Sequence, residues 1–302
     1  MNAVYFLNIL MATMVIGRSI ILSKDTDCRV GYTKDCPGKS CSDIYQRNSE
    51  TRGFVGYFWV QTNEGDIIQE FCFMNSQCGM TGGWTVVVNA HSYKCPKDWQ
   101  RFVIPGTNYK AACKPPSDDA GCYSAMFPTR IHFKYICGVV DAYTKGTPDA
   151  FSQRPMDSIN QPYLDGISIT YGTSDKRRHV WSYAVGYSSE DSAADPKGNC
   201  PCAAYPGPKP PSFVRDDYYC NSPTTGIPQP SEYHYQNESL WSDIAYCSEK
   251  HSCCAQGEAP YFLRDIPDSS RVDTDPIEVR ICTDEGWEDE GIMLAGATIM
   301  VM

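Results

Sequence analysis

The chain has 302 residues, a net charge of −10, 42% apolar and 21% charged residues, with 23 Gly and 21 Pro. That length and apolar content allow one large or two ordinary cores, while the Gly and Pro load disfavours long helices. The acidic balance argues against a phosphate-binding surface, which needs a positive field, so nucleic acid is excluded as a partner.

Residues 4–16 (VYFLNILMATMVI) are an apolar run too short to span a bilayer. They read as the core of a signal peptide over residues 1–19, cut near Gly17 or Ser19, with Arg18 interrupting any longer anchor. The protein is therefore expected to be secreted, with no membrane span once the leader is removed. All 16 Cys lie beyond the leader. An even number in an exported chain reads as a framework of up to eight bridges, each stabilising by roughly 2–4 kcal/mol. Asn237-Glu238-Ser239 is the one glycosylation sequon, at Asn237.

After the leader, residues 28–41 form a short stapled loop. Residues 53–60 (GFVGYFWV) carry apolar side chains at both parities and predict a strand buried on both faces. Residues 71–74 are a further apolar run, and residues 82–88 (GGWTVVV) predict a turn feeding a β-branched strand. Residues 95–122 look loop-like, broken at Pro115-Pro116, and strand composition returns over 131–140. Ile167, Ile169 and Tyr171 alternate with Ser168 and Thr170, predicting a half-buried strand with residues 179–185 as its hairpin partner. Lys176-Arg177-Arg178 then falls at the hairpin tip. Residues 200–211 are Pro-rich and irregular. Ile277, Val279 and Ile281 alternate with Glu278 and Arg280, a strand again, and residues 292–301 predict the closing strand. The fold class expected is mainly β with an α+β N-terminal part, disulfide-rich, loop-rich and extracellular.

The order Cys41-Ser42-Asp43-Ile44-Tyr45, a Gly-rich aromatic strand, Phe71-Cys72-Phe73-Met74 and Gly82-Gly83-Trp84-Thr85-Val86-Val87 resembles the start of fibrinogen C-terminal domains over residues 38 to 90. In that family the first two Cys of the pattern are bonded, which implies a Cys41–Cys72 pair here. The family's later Trp- and Asn-rich ligand segment has no counterpart, so no ligand residues carry over. Motifs from residue 130 onward, among them Asp165-Gly166-Ile167-Ser168, Cys200-Pro201-Cys202, Asp217-Tyr218-Tyr219-Cys220 and Cys253-Cys254, resemble secreted cnidarian proteins and the coral skeletal organic matrix. The expected organisation is a signal peptide over 1–19, a Cys-rich segment with a fibrinogen-like subdomain over 20–110, and a Cys-rich β module over 111–302.

Chemistry-bearing motifs are sparse. Cys200-Pro201-Cys202 lacks the two-residue spacing of redox or zinc pairs, and the five His show no HExxH arrangement. No G-x-S-x-G elbow or phosphate loop is present, and a non-enzymatic protein is expected. The six Trp include candidates for stacking on sugars, although strand Trp residues usually face a core. Acidic residues gather at Asp284, Glu285, Glu288, Asp289 and Glu290, a candidate for a Ca²⁺ or mineral contact without the loop of a dedicated Ca²⁺ site. No other cofactor is expected. The function anticipated is a secreted structural component of an extracellular or skeletal biomineral matrix, with matrix proteins, glycans or mineral as partners. The alternative is a soluble, lectin-like protein that binds glycans.

Overall fold

The computed structural model describes residues 28–91, 95–104, 111–116, 121–146, 150–151, 158–185, 209–221, 232–235, 253–254, 261–266, 275–283 and 290–302. The expected leader at residues 1–19, Asn237 and Asp284 through Asp289 lie outside the described residues, as does the side chain of Glu290. Among the described residues no helix is long and apolar enough to cross a membrane.

The chain is mostly β and disulfide-rich. Its strands are β1 (Val55–Gln61), β2 (Ile67–Phe73), β3 (Ser76–Gln77), β4 (Met80–Thr81), β5 (Trp84–His91), β6 (Gln100–Val103), β7 (Ala111–Lys114), β8 (Gly121–Phe127) and β9 (Tyr135–Gly146). They continue with β10 (Gly166–Tyr171), β11 (Arg178–Val185), β12 (Tyr218–Asn221), β13 (Glu232–Tyr235), β14 (Cys253–Cys254), β15 (Phe262–Asp265), β16 (Ile277–Thr283) and β17 (Glu290–Val301). Among the described residues one short α-helix, α1 (Cys41–Arg47), and a 3-10 turn, Ser49–Thr51, precede them. Ser40 caps α1 by accepting from the Asp43 amide, Asp43 sits in its first turn, and Arg47 reaches back to Asp43 at 3.2 Å. Seven residues are too few to hold a helix in water. Burial of Cys41 and Ile44 and the Cys41–Cys72 bond to β2 hold this one.

Nine strands form the first sheet, in the order β1-β2-β5-β17-β7-β6, with β9 on the other side of β17 and β13 and β15 beyond it. The last strand of the chain thus runs along β5 from residues 296 to 301 and along β9 for its whole length. The second sheet has the order β14-β12-β11-β10-β16-β8. The two sheets share a core: Val139, Val140, Leu294 and Ile299 of the first pack with Ile167, Ile169, Ile277 and Val279 of the second. Trp181 stacks on Phe262 across the same interface, with ring centroids 5.0 Å apart. The far face of the first sheet is also covered, by clusters around Trp84 and Met300 and around Ile104 and Met293. Burial on both faces accounts for the nearly continuous apolar run of β17.

Several sequence expectations need correction. The strand at 53–60 is not buried on both faces: Phe58 and Val60 point inward, whereas Val55 is 48% and Tyr57 68% exposed. Residues 95–122 hold two paired strands, β6 and β7, and the start of β8, because Cys95 is bonded to Cys113 and Phe102 packs on Tyr143. The strand placed at 131–140 begins at Tyr135 and runs on to Gly146. The predicted hairpin of residues 167–171 with 179–185 is present as β10 and β11, and the closing strand is present as β17. The half-burial expected of β10, however, is wrong, since every residue of that strand is buried, as is every residue of β16 beside it.

Five disulfides join described residues: Cys28–Cys36, Cys41–Cys72, Cys78–Cys137, Cys95–Cys113 and Cys122–Cys282. Cys220 is disulfide-bonded as well.

Candidate functional site

The face of the second sheet that turns away from the first is polar. Antiparallel register sets Ser168 opposite Ser182 and Arg280, and Thr170 opposite His179 and Glu278. Alternation along a strand then puts these side chains on one face and Ile167, Ile169, Val279 and Ile281 on the other. The polar face is not left to water. A layer containing Phe151, Tyr163, Leu164 and Val214 packs against its Ala184, Tyr218 and Cys220.

A charged network is sealed beneath that layer. Glu278 and Arg280 are each 2% exposed. The Glu278 carboxylate accepts from Thr170 Oγ1 at 3.0 Å and from Arg177 Nε at 2.7 Å, and Arg280 Nε lies 3.8 Å from its second oxygen. Arg280 also donates to the Ile159 carbonyl and sets its guanidinium over the Tyr163 ring, 5.7 Å from the centroid. Burial draws its pKa below the usual arginine value, and the neighbouring Tyr163 and Glu278 oppose that shift. Arg177 comes from the predicted basic tip, which the structure places between β10 and β11 as a short 3-10 turn, Ser174–Lys176. Lys176 and Arg178 on either side are exposed, whereas Arg177 turns inward and donates to Asn160 and Glu278.

His179 and Ser182 form a second polar pair, with His179 Nε2 2.7 Å from Ser182 Oγ. Residues three apart on a regular strand face opposite ways. Here the β10–β11 register slips at Ile169/Thr170, and the resulting bulge brings both side chains to the same side. His179 Nδ1 is buried and has no hydrogen-bond partner among the described residues. Burial first, then the positive charges of Arg264 and Arg280, push the His179 pKa down to about 3. The Tyr163 hydroxyl faces those of Ser168 and Ser182 but makes no bond of good geometry, and its burial raises its pKa. A proton leaving the fully buried Ser182 would pass to an imidazole whose charged form two guanidiniums disfavour, so the pair is a poor base–nucleophile couple.

Beside this network opens a cleft of about 760 Å³. Its walls come from the β10–β11 tip, the turn at residues 212–217 and the end of β15. Arg264, which donates to the Val180 carbonyl at 2.9 Å and pairs with Asp217, ties two of those walls together. Tyr171 and Phe213 contribute aromatic surface, and Phe213 also packs edge-on against Tyr163 at 4.9 Å.

Among the other sequence candidates, Trp84 and Trp181 are buried, Trp59 and Trp99 half-buried, and Trp241 and Trp287 outside the described residues. No group of three or more His, Cys, Asp or Glu side chains close enough to hold a metal occurs among the described residues. Sequence reading missed the Glu278–Arg177–Arg280 network, His179 with Ser182, and the cleft. The one available signal was a pair of opposite charges, Glu278 and Arg280, inside an otherwise apolar strand. No known protein-family model matches the chain, and no curated protein is similar to it.

Proposed function

We propose that the protein is a non-enzymatic, secreted structural component of an extracellular or skeletal organic matrix, with matrix proteins, glycans or mineral as partners. The observation that carries this reading is the disulfide bracing. Bonds join α1 to β2, the β3–β4 turn to β9, and β8 to β16, so covalent links recur along both sheets. Such cross-links persist in oxidising, extracellular surroundings. A body braced in this way suits a permanent load-bearing material. The partial resemblance to fibrinogen C-terminal domains and to coral skeletal matrix proteins supports the same setting, and the acidic residues Asp284, Glu285, Glu288, Asp289 and Glu290 would offer oxygen ligands to Ca²⁺ or a mineral face. The test is location: mass spectrometry of a demineralised hard-tissue extract should recover the chain, cleaved near Gly17 or Ser19 and oxidised. Recovery from the cytosol with free thiols would end the proposal.

The cleft favours a second reading, soluble lectin-like recognition of glycans. Concave, partly aromatic sites with a few convergent polar groups are where proteins bind small ligands. Saturable binding on a glycan array is the measurement that supports it, and an array without a binder removes it.

A further inference from the structure

We propose that the cleft beside the buried network binds an anionic saccharide, whose sulfate or carboxylate groups meet Lys176, Arg178 and Arg215 and whose hydroxyls meet Asp175 and Asp275. The proposal rests on the recognition reading and gives it a site and a ligand class.

Charge pairing decides which lining groups are available. Five basic and four acidic side chains line the cleft. Arg177 is committed to Glu278, Arg264 to Asp217, and Asp265 to Lys134 at 3.9 Å. Removing these leaves three cations, Lys176, Arg178 and Arg215, against two carboxylates, Asp175 and Asp275. None of the five has an ion pair among the described residues, and the three cations are exposed. On a chain of net charge −10, a cluster with a cationic surplus is a local reversal of sign. Repulsion from the distant acidic residues is screened beyond about 8 Å at physiological ionic strength, so the local cations govern a bound anion.

The site is also firmly built. Lys176 and Arg178 flank Arg177, which the buried Glu278 holds at 2.7 Å, so the tip that carries them is anchored from beneath. Arg215 lies in the turn that Asp217 ties to Arg264.

The mixture of groups selects the ligand class. A cleft of about 760 Å³ is far larger than a free inorganic anion needs. Unpaired groups of both signs suit a ligand that presents many hydroxyls together with fixed negative charge. The half-buried Phe213 supplies ring surface for the apolar face of a sugar. An acidic peptide shares the charge but not the hydroxyls, and it becomes an outcome of the test.

The experiment measures fluorescence anisotropy of the full, oxidised chain with a labelled chondroitin sulfate hexasaccharide. The probes compared with it are its desulfated, carboxyl-reduced form, a hexaglutamate peptide and inorganic sulfate as competitor. Saturable binding of the sulfated sugar is expected, weakened at least tenfold by K176A/R178A/R215A and severalfold between 50 and 200 mM salt. All three replaced side chains are exposed, so the variant should keep its disulfides and unfolding midpoint, and Lys39→Ala on the N-terminal loop should leave binding unchanged. Undiminished affinity in the triple variant would place the ligand elsewhere and overturn the cleft assignment, leaving the recognition reading intact. Equal affinity for the neutral sugar would overturn the anionic class alone. Tighter binding of hexaglutamate, or competition by sulfate as effective as the sugar itself, would overturn the saccharide. Failure of every sugar here and on the array would remove proposal and recognition reading together.

Discussion

Glu278 is the residue on which the interior of the second sheet turns. Its carboxylate is buried; Thr170 and Arg177 converge on it from two other segments, and Arg280 of its own strand lies more loosely beside it. Removing one member of a buried ion pair leaves the other charge without compensation, which costs about 3–5 kcal/mol. Glu278→Gln keeps the shape and should destabilise the protein by about that amount in a urea titration. Thr170→Val, which removes only a hydroxyl donor, should cost about 1–2 kcal/mol. His179 adds a pH dependence. Its folded pKa is pushed down to about 3, while an unfolded histidine titrates near 6.5. Between those values the unfolded chain binds the extra proton, so this group's contribution is complete above about pH 6.5 and is lost as pH falls, at up to about 1.4 kcal/mol per unit. Denaturation midpoints at pH 7 and pH 5 should therefore differ less in His179→Gln than in the native chain. An unchanged gap would show that the ring is not sealed from protons.

At the scale of elements, close approach explains a motif that residue type alone does not. A Cβ on Gly83 would overlap the Cys41 carbonyl of α1, so the second glycine of Gly82-Gly83-Trp84 lets β5 start directly against the helix. Gly56 in β1 has open space at the corresponding point. Gly83→Ala should destabilise by about 2 kcal/mol or more through forced displacement of backbone. Gly56→Ala should fall within about 1 kcal/mol of the native chain, on the stabilising side. Thermal unfolding of both variants checks the contrast. The β10–β11 bulge is a second element-scale device. Without it His179 would point to the opposite face from Ser182, and the cleft would lose one of its lining residues. Much at this scale was legible in the sequence: the β10–β11 hairpin and closing β17 follow from alternation and β-branched composition. The β6–β7 pair was not, because neither strand has a clear period and their pairing depends on the Cys95–Cys113 bond and on packing against Tyr143.

At the scale of the whole molecule, covalent links supplement a core shared by two sheets. The constraint that a disulfide puts on the unfolded chain grows with the loop it closes. Cys122–Cys282 spans 160 positions and Cys28–Cys36 only 8. Replacing the first pair by Ser and Ala should therefore cost about 3 kcal/mol more than replacing the second, measured by guanidinium titration under oxidising conditions. Equal losses would mean that the unfolded chain is already held together by its other bonds.

Sequence alone determined the β character, the positions of the main strands, the disulfide-rich nature of the chain and the pairing of residues 167–171 with 179–185, because these depend on local periodicity, composition and Cys number. Tertiary structure decided which polar faces meet water. Ser168, Thr170, Glu278 and Arg280 alternate as a solvated face would, and only the layer carrying Tyr163 and Val214 makes them interior. It also decided that Arg177 meets a carboxylate 101 positions away while its two basic neighbours stay exposed beside a cleft. Strand period reports which side chains share a face, but it holds no information about what is later laid over that face. Burial, pairing and the cleft therefore arise only when distant segments pack.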